Sequence, residues 1–284
     1  MRCFEAGFIG LFMVGVAMPV AAASPSAHAQ RMESLGYQRY EGAWRTSQEI
    51  SLMKQADTLT AGQVAARQQL ERLRRDLDKP ATAEQAAEQI RGMHEPLAVP
   101  ALSQAIQAEP LTRARLLYVE ALAHIGTADA VGTLLSLALD HPDREVRWQA
   151  TEQLEQAPSA QVVPPLVAAL AGPHNDRINR AAAVLGRVGD RSAIEPLIRA
   201  LVTTHVVVTD PGTGGQTSAT FTPGGGGLTL GGGPKTSTVS AQNRQVLEAL
   251  TALTEVNYSW DQASWQAWWR GQQLSPETDL RRSP

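Results

Sequence analysis

The feature that most constrains this chain is a unit of 31 or 32 residues that occurs four times between Ala81 and His205. Each unit carries two separate apolar segments, which predicts a pair of helices. A hairpin of this kind cannot bury its apolar face alone, so successive hairpins must stack. The clearest aligned positions are Ile90, Leu122, Leu154 and Leu185 in the first helices and Val99, Val131, Val163 and Ile194 in the second.

Breaks between the apolar segments support an all-α, right-handed solenoid. Gly126 and Gly189 follow the first helices of two units. Glycine there ends a helix at low cost, because it adopts the left-handed backbone conformation readily. Asp129 and Ser192 follow these glycines and are expected to cap the second helices with their side-chain oxygens. We place the four repeats at residues 81–204.

The last of the four units has the most regular pattern. It runs from an acidic turn at Asp176 through an arginine, paired alanines, Leu185-Gly186 and Gly189-Asp190 to Ala-x-x-Pro-Leu, ending at Leu197. This pattern closely resembles HEAT-like repeats of the phycobilin-lyase type. The third unit departs from it at residues 154–158, and the first unit has no acidic turn. The resemblance covers about 125 residues and implies the architecture. Chromophore lyases, scaffolds and adaptors share it, so it implies no single activity.

The resemblance also implies a role for arginines that open the first helices. In this family type they commonly pair with acidic turn residues. We therefore expect Asp143 to pair with Arg147 and Asp176 with Arg180. Exposed pairs contribute about 0.3 to 1 kcal/mol each, so they would serve to align the repeats.

Residues 1–29 have the composition of an export signal: a positive start at Arg2, an apolar run over residues 7–20, then small residues. Two cleavage sites fit the A-x-A pattern, one before Ser24 and a preferred one before Gln30. The alternative is a membrane anchor, but the apolar run is shorter than the roughly 20 residues that cross a bilayer. We expect a periplasmic or extracellular protein with no integral membrane segment after signal removal. Such a mature chain would lack Cys3, the single cysteine, and any thiol chemistry.

The segments around the repeats differ from them in composition. Residues 30–80 predict a lead-in and then a helical segment, one long helix or two, which Thr46 or Ser47 would cap and which ends before Pro80. Residues 242–274 predict an atypical capping repeat whose tryptophans close the apolar end of the solenoid. The alternative is that these tryptophans form an aromatic ligand platform. Residues 275–284 are expected to be a flexible tail.

Residues 205–241 form a glycine-rich insertion before that cap. Glycine at this density does not pack as a helix. Two structures remain possible from the sequence: a β-hairpin, with strands including residues 217–221 and 228–230, or a disordered linker. We favour the hairpin, because β-branched residues flank the glycines on both sides.

The sequence contains no arrangement typical of catalysis. Its six histidines are not spaced for a shared metal site, and those in predicted turns (His94, His141 and His174) are expected at the surface. The glycine runs lack the pattern of a phosphate loop, and no Gly-x-Ser-x-Gly occurs. The formal net charge of −3 gives no reason to expect nucleic acid as a partner. We predict a non-enzymatic protein with no metal and no cofactor.

The second helices are expected to line the concave side of the solenoid with short, mostly neutral side chains. Such a groove suits a peptide or protein segment better than a phosphate backbone. The predicted function is protein interaction or scaffolding, with an unidentified protein or peptide as partner. One alternative is a bilin lyase or lyase subunit, which only the resemblance implies; another is a structural component of the envelope. The candidate groove residues form two rows: Gln104, Ser136, Ala168 and Arg199, then Gln107, Leu139, Ala171 and Val202.

Overall fold

The computed structural model describes residues 27–209, 219–222, 225–228 and 235–273. Most of the expected export signal and the expected tail at residues 275–284 lie outside these ranges. The chain divides into two compact units, Met1–Thr60 and Ala61–Pro284. Among the described residues, no helix combines the length and the apolar character needed to cross a bilayer.

The first unit contains a short helix and a β-hairpin. Helix α1 (Ala27–Ser34) precedes strands β1 (Tyr37–Tyr40) and β2 (Ala43–Thr46), which pair antiparallel. Glu41 and Gly42 between the strands have φ values of 49° and 81°. Positive φ at both central residues is what a two-residue hairpin turn with the right twist requires.

A reciprocal cap starts the next helix, α2 (Ser47–Leu77). Thr46 Oγ1 accepts a hydrogen bond from the Glu49 N–H at 3.2 Å, and the Glu49 carboxylate accepts one from the Thr46 N–H at 2.7 Å. This capping box satisfies two free amide groups of the helix start. The prediction of a cap at Thr46 is confirmed, and α2 is one helix that ends before Pro80.

The second unit stacks helical hairpins, which confirms the predicted all-α solenoid. Two 3₁₀ turns, at Pro96–Ala98 and Arg191–Ala193, lead into the second helices of two hairpins. The hairpins consist of α3 (Ala83–Arg91) with α4 (Val99–Ala108), α5 (Thr112–Ile125) with α6 (Ala128–Asp140), α7 (Arg144–Gln156) with α8 (Ser159–Leu170), α9 (Asn175–Val188) with α10 (Ile194–Ala200), and α11 (Arg244–Thr254) with α12 (Gln262–Gln273).

The repeated apolar positions form the core. The first-helix row is completely buried, and no residue of the second-helix row is more than 7% exposed. Ala66, Leu70 and Leu73 of α2 join the same core, so the later part of α2 packs as part of the second unit. The core therefore begins ahead of residue 81, where the sequence placed the first repeat.

The turns within the hairpins contain left-handed glycines, as predicted, but the residues that cap the following helices are not the predicted ones. Gly126 and Gly189 are left-handed, with φ of 62° and 78°. Thr127 Oγ1 accepts from the Ala130 N–H at 3.3 Å, and the Asp190 carboxylate accepts from the Ser192 N–H at 2.9 Å. The predictions of Asp129 and Ser192 as caps are wrong, because the cap is the residue just outside the first turn, and these two already lie within it.

The arginines of the first helices also have other partners than expected: Arg115 and Arg180 bond to other repeats, and Arg147 bonds to backbone carbonyls. Asp143 caps α7 through the Glu145 N–H at 2.9 Å, and its other oxygen pairs with Arg115 of α5 at 3.0 Å. Arg147 instead donates to the carbonyls of its own turn, at 2.7 and 2.8 Å, and Arg180 donates to the Leu139 carbonyl at 2.6 Å. The predicted Asp143–Arg147 and Asp176–Arg180 pairs are absent from the ion pairs of the described residues.

The glycine-rich insertion contains paired strands, which confirms the hairpin interpretation for its described residues. Strand β3 (Val202–Thr209) pairs antiparallel with β6 (Lys235–Gln242), with Val202 opposite Gln242. Inside it, β4 (Ala219–Thr222) pairs with β5 (Gly225–Leu228). Strand β4 overlaps the first predicted inner strand, whereas β5 shares only Leu228 with the second. Three glycines enter β5 because pairing with β4 supplies their backbone with hydrogen bonds.

Tryptophans of α12 close the end of the stack. Trp265 is completely buried, and its indole N–H donates to the Ser259 carbonyl at 3.0 Å. Its ring makes an edge contact with Tyr258, with 5.2 Å between the ring centroids. Trp268 and Trp269 are half-buried against the same core. This burial supports the capping interpretation, since a ligand platform needs an accessible ring face.

Candidate partner-binding surface

Seven of the eight predicted groove residues lie in three separate clefts, so they do not line one continuous groove. Four of them, Ala168, Ala171, Arg199 and Val202, share a cavity of about 1000 Å³, which we call the terminal cleft. It lies between α8, α10 and the start of β3. Sequence reasoning missed its remaining described lining: Val167, Leu170, Gly172, Pro173, Pro196, Ala200, Thr203 and Thr204.

A second cleft lies between α4 and α6. It has a volume of about 650 Å³ and is lined by Gln107 and Ser136 of the predicted set, together with Pro100, Ser103 and Thr133. Its described lining includes one charged residue, Asp129. Gln107 and Ser136 are exposed, as predicted.

Gln104 lies in a third cleft, of about 540 Å³, against the later part of α2. Its side-chain oxygen accepts a hydrogen bond from Arg67 Nη2 at 2.9 Å. The Gln104 side chain is exposed, but its oxygen is already engaged within the protein. Gln104 therefore does not belong to the same site as the residues of the terminal cleft.

The floor of this third cleft holds a buried ion pair. Glu109 is 7% exposed and accepts from Arg74 Nε at 2.5 Å and Nη2 at 3.1 Å. Burial raises the pKa of Glu109, but hydrogen bonds from Arg74 and the Leu111 N–H outweigh it and leave the pKa below its ordinary value of 4.5. Burial and the Glu109 charge raise the pKa of Tyr118 to about 12. The arrangement fastens α2 to the first repeat and offers no group poised for proton transfer near neutral pH.

Two predicted groove residues are not where the sequence placed them. Leu139 was expected to be exposed but is 3% exposed, because α9 packs over the last turn of α6 and Arg180 bonds to the Leu139 carbonyl. Val202 was expected on a helix but begins β3 and is half-buried. It still lines the terminal cleft, whereas Leu139 lines none of these clefts.

A polar network fixes the wall of the terminal cleft. Asn243 is completely buried, and its Nδ2 donates to the Ala200 carbonyl at 2.8 Å and to Thr203 Oγ1 at 3.0 Å. Its Oδ1 accepts from Asn179 Nδ2 at 3.0 Å, and its backbone N–H donates to the Leu201 carbonyl at 3.0 Å. The Asn243 side chain therefore joins α9, α10, β3 and the start of α11. Fully satisfied buried polar groups hold a single geometry.

The terminal cleft carries little charge. Arg199 is the charged side chain of its described lining, and Glu195 lies 3.6 Å from it on the same helix face. Both are well exposed, so the pair contributes little to stability. Most of the other lining residues are small, apolar or proline. A surface of this kind favours shape and backbone recognition over recognition of a highly charged ligand.

The histidines give no evidence of a metal site. His141 was expected at the surface but is 5% exposed, and its Nδ1 accepts from the Asp143 N–H at 3.1 Å. Burial lowers the pKa of His141 against the opposing hydrogen bond with Asp143. His94 and His174 are exposed, as predicted. In the part of the chain that the structure describes, no three His, Cys, Asp or Glu side chains are placed to share a metal ion.

Comparison with known families agrees with this architecture. The model of the HEAT repeats matches residues 66–155 and 99–184, and the model of the PBS lyase HEAT-like repeat matches residues 179–203. The first match begins within α2, at the residues that join the core. No curated protein matches the chain.

Proposed function

We propose that this chain, a HEAT-like repeat protein, is a non-enzymatic interaction module that binds an extended segment of a protein partner in the terminal cleft. The observation that carries the proposal is the cleft itself. Its volume of about 1000 Å³ reaches the upper end of the range for ligand sites, and its lining is small and nearly neutral. A peptide segment, with its uncharged backbone and spaced side chains, matches these properties.

Strand β3 adds a second means of recognition. Thr203 and Thr204 at its start line the cleft, and among the described strands β3 pairs only with β6. One edge of β3 is therefore without a partner strand in the described part of the chain. Addition of a strand beside one that has a single partner strand is a recurring mode of peptide recognition.

Site-specific photo-crosslinking tests the proposal. A photoreactive residue at Ala168 or Ala171 should capture a partner from an envelope fraction, whereas the same residue at exposed Glu88 on α3 should not. The variant Ala168→Trp fills the cleft and should abolish capture without changing the thermal unfolding temperature. If Ala168 and Glu88 give the same crosslinked products, the terminal cleft is not the binding site.

We also propose that the protein acts outside the cytoplasm. The support is the composition of residues 1–29, with its charged start, apolar run and small-residue exit. Expression in a bacterium followed by mass spectrometry of the periplasmic protein should give an N-terminus at Ser24 or Gln30. An intact N-terminus on protein confined to the cytoplasm would contradict export.

A second candidate is a chromophore lyase or lyase subunit. It is favoured by the match of residues 179–203 to the PBS lyase HEAT-like repeat. The terminal cleft, bordered by Arg199, would then receive a bilin. Incubation with a bilin and an acceptor protein gives the test: covalent transfer, lost in Ala168→Trp, would replace our leading proposal with this one.

A further inference from the structure

A separate cleft lies between the first helices, away from the residues of the terminal cleft. It has a volume of about 300 Å³ and is formed by α7, α9 and the start of α11. We call it the tryptophan–arginine cleft, after its defining residues Trp148, Arg144, Arg147, Arg180 and Arg187. The other described lining residues are Ala138, Thr151, Asn179, Ala183 and Gln245, so the lining has four arginines and no acidic residue.

Trp148 is the unusual residue of this cleft. It is 58% exposed, although it lies on a helix whose other face is buried. The Arg187 guanidinium lies over its ring, 4.4 Å from the ring centroid. This cation–π contact holds the indole in one orientation while leaving most of its surface to solvent. Tryptophan and arginine are both among the residues enriched at the energetically dominant positions of protein interfaces.

The positive charge of the cleft is only partly compensated. Arg187 pairs with Glu155. Arg147 and Arg180 donate to backbone carbonyls, which orient their guanidinium groups without neutralising them. None of Arg144, Arg147 and Arg180 has an ion-pair partner among the described side chains, since the nearby carboxylates of Asp140 and Asp143 pair with Arg177 and Arg115.

We propose that the tryptophan–arginine cleft binds an acidic protein segment. Glutamate or aspartate side chains would accept hydrogen bonds from the guanidinium N–H groups that the backbone carbonyls leave free, since each guanidinium has five donors. A proline or other apolar side chain would lie against the Trp148 ring. This is a second binding site, on the opposite helices of the hairpins from the terminal cleft.

The size and surroundings of the cleft favour a short acidic segment over a nucleic acid. A phosphate backbone is bound by a continuous basic stripe, whereas this charge is confined to one cleft of about 300 Å³. Exposed Glu145 and Glu152 on α7 lie on the same helix as Trp148. They would repel an extended polyanion but leave room for a segment with one or two carboxylates.

Fluorescence anisotropy on the full chain tests this inference. The probe is a short fluorescein-labelled peptide containing Glu, Pro and Phe, and its control replaces each Glu with Gln. We expect the Glu peptide to bind at least about tenfold more tightly than the Gln peptide, and added salt should weaken its binding. Trp148→Ala should reduce affinity about tenfold or more, and Arg144→Gln about threefold.

Arg113→Gln is the matched control, because Arg113 is an exposed arginine near the start of α5, outside the cleft. It and Ala168→Trp should leave peptide binding unchanged, which separates this site from the terminal cleft. Circular dichroism establishes that each variant is folded. The proposal is overturned by equal binding of the two peptides, by full affinity in folded Trp148→Ala, or by tighter Trp148-dependent binding of a labelled single-stranded oligonucleotide.

Discussion

Replacing Asn243 with alanine tests how firmly the last hairpin is attached to the repeats before it. The buried side chain donates two hydrogen bonds, to the Ala200 carbonyl and Thr203 Oγ1, and accepts one from Asn179. At about 1 kcal/mol each, these bonds contribute about 3 kcal/mol. The truncation also leaves the Ala200 carbonyl without this partner in the interior. We expect the free energy of unfolding to fall by about 3 to 4 kcal/mol.

Urea unfolding followed by circular dichroism measures the total loss, and hydrogen exchange locates it. In a solenoid each repeat contacts only its neighbours, so α11 and the first residues of β3 should lose protection while α5 and α6 keep it. Asn257→Ala is the matched control, since exposed Asn257 accepts one bond, from the Ser259 N–H at 2.7 Å. It should cost less than about 1 kcal/mol. Equal losses in the two variants, or protection lost evenly along the stack, would refute the role given to Asn243.

Four further substitutions test packing and charge in the second unit. Gly186→Ala should lower the free energy of unfolding by about 1 to 2 kcal/mol, because the new Cβ would lie 3.0 Å from the Ala249 Cβ and 3.1 Å from the Ala249 Cα. Gly132→Ala should raise the free energy of unfolding by about 0.5 to 1 kcal/mol, because its new Cβ would have nothing within 4 Å. Thermal unfolding measures both. Equal effects would contradict the close approach of α9 and α11. Glu109→Gln should cost about 2 kcal/mol at neutral pH. It should also reduce the loss of stability that the wild type shows as pH falls below 4.5, because the depressed folded pKa of Glu109 no longer contributes to that loss. His141→Gln should remove a loss of stability that begins as pH falls below 6.5, because the unfolded state takes up a proton before the buried imidazole does. For Glu109 and His141 alike, a variant whose stability changes with pH as the wild type's does, measured by urea titration, would contradict the assignment.

The repeated apolar positions could be predicted because their spacing reflects burial within each hairpin. Ile90 and Leu122 recur at the repeat length, and both are completely buried. Gly126 could be predicted because ending a helix in the left-handed region is a local property of glycine. Apolar spacing and helix-ending glycines are thus readable from the sequence, whereas the capping residues Thr127 and Asp190 were each missed by two positions.

Contacts between repeats could not be predicted, because they depend on how far each hairpin is offset from the next. Arg180 reaches the Leu139 carbonyl, 41 residues earlier, and α9 covers Leu139 at the same place. Asn243 has the pattern of a helix cap, yet its side chain bonds to residues 40 and more positions earlier. No periodicity within a repeat contains this information.

The candidate site was predicted in part for the same reason. Ala168 and Arg199 lie on the exposed faces of second helices, and Ala171 directly follows α8, so helical spacing places the three together. Thr203 and Thr204 complete the cleft only because the chain leaves the helix after Ala200 and turns into β3. A break in the repeat, rather than the repeat itself, shapes the terminal cleft.

The pairing of Val202 with Gln242 has a consequence for how this chain could change. The Asn243 N–H lies 3.0 Å from the Leu201 carbonyl, so the insertion leaves the solenoid and returns to it at almost the same point. Residues can be added or removed beyond Thr203, which accepts a hydrogen bond from Asn243, without changing the position of α11. Evolution or an engineer can therefore exchange the insertion at this junction while the helical stack keeps its register.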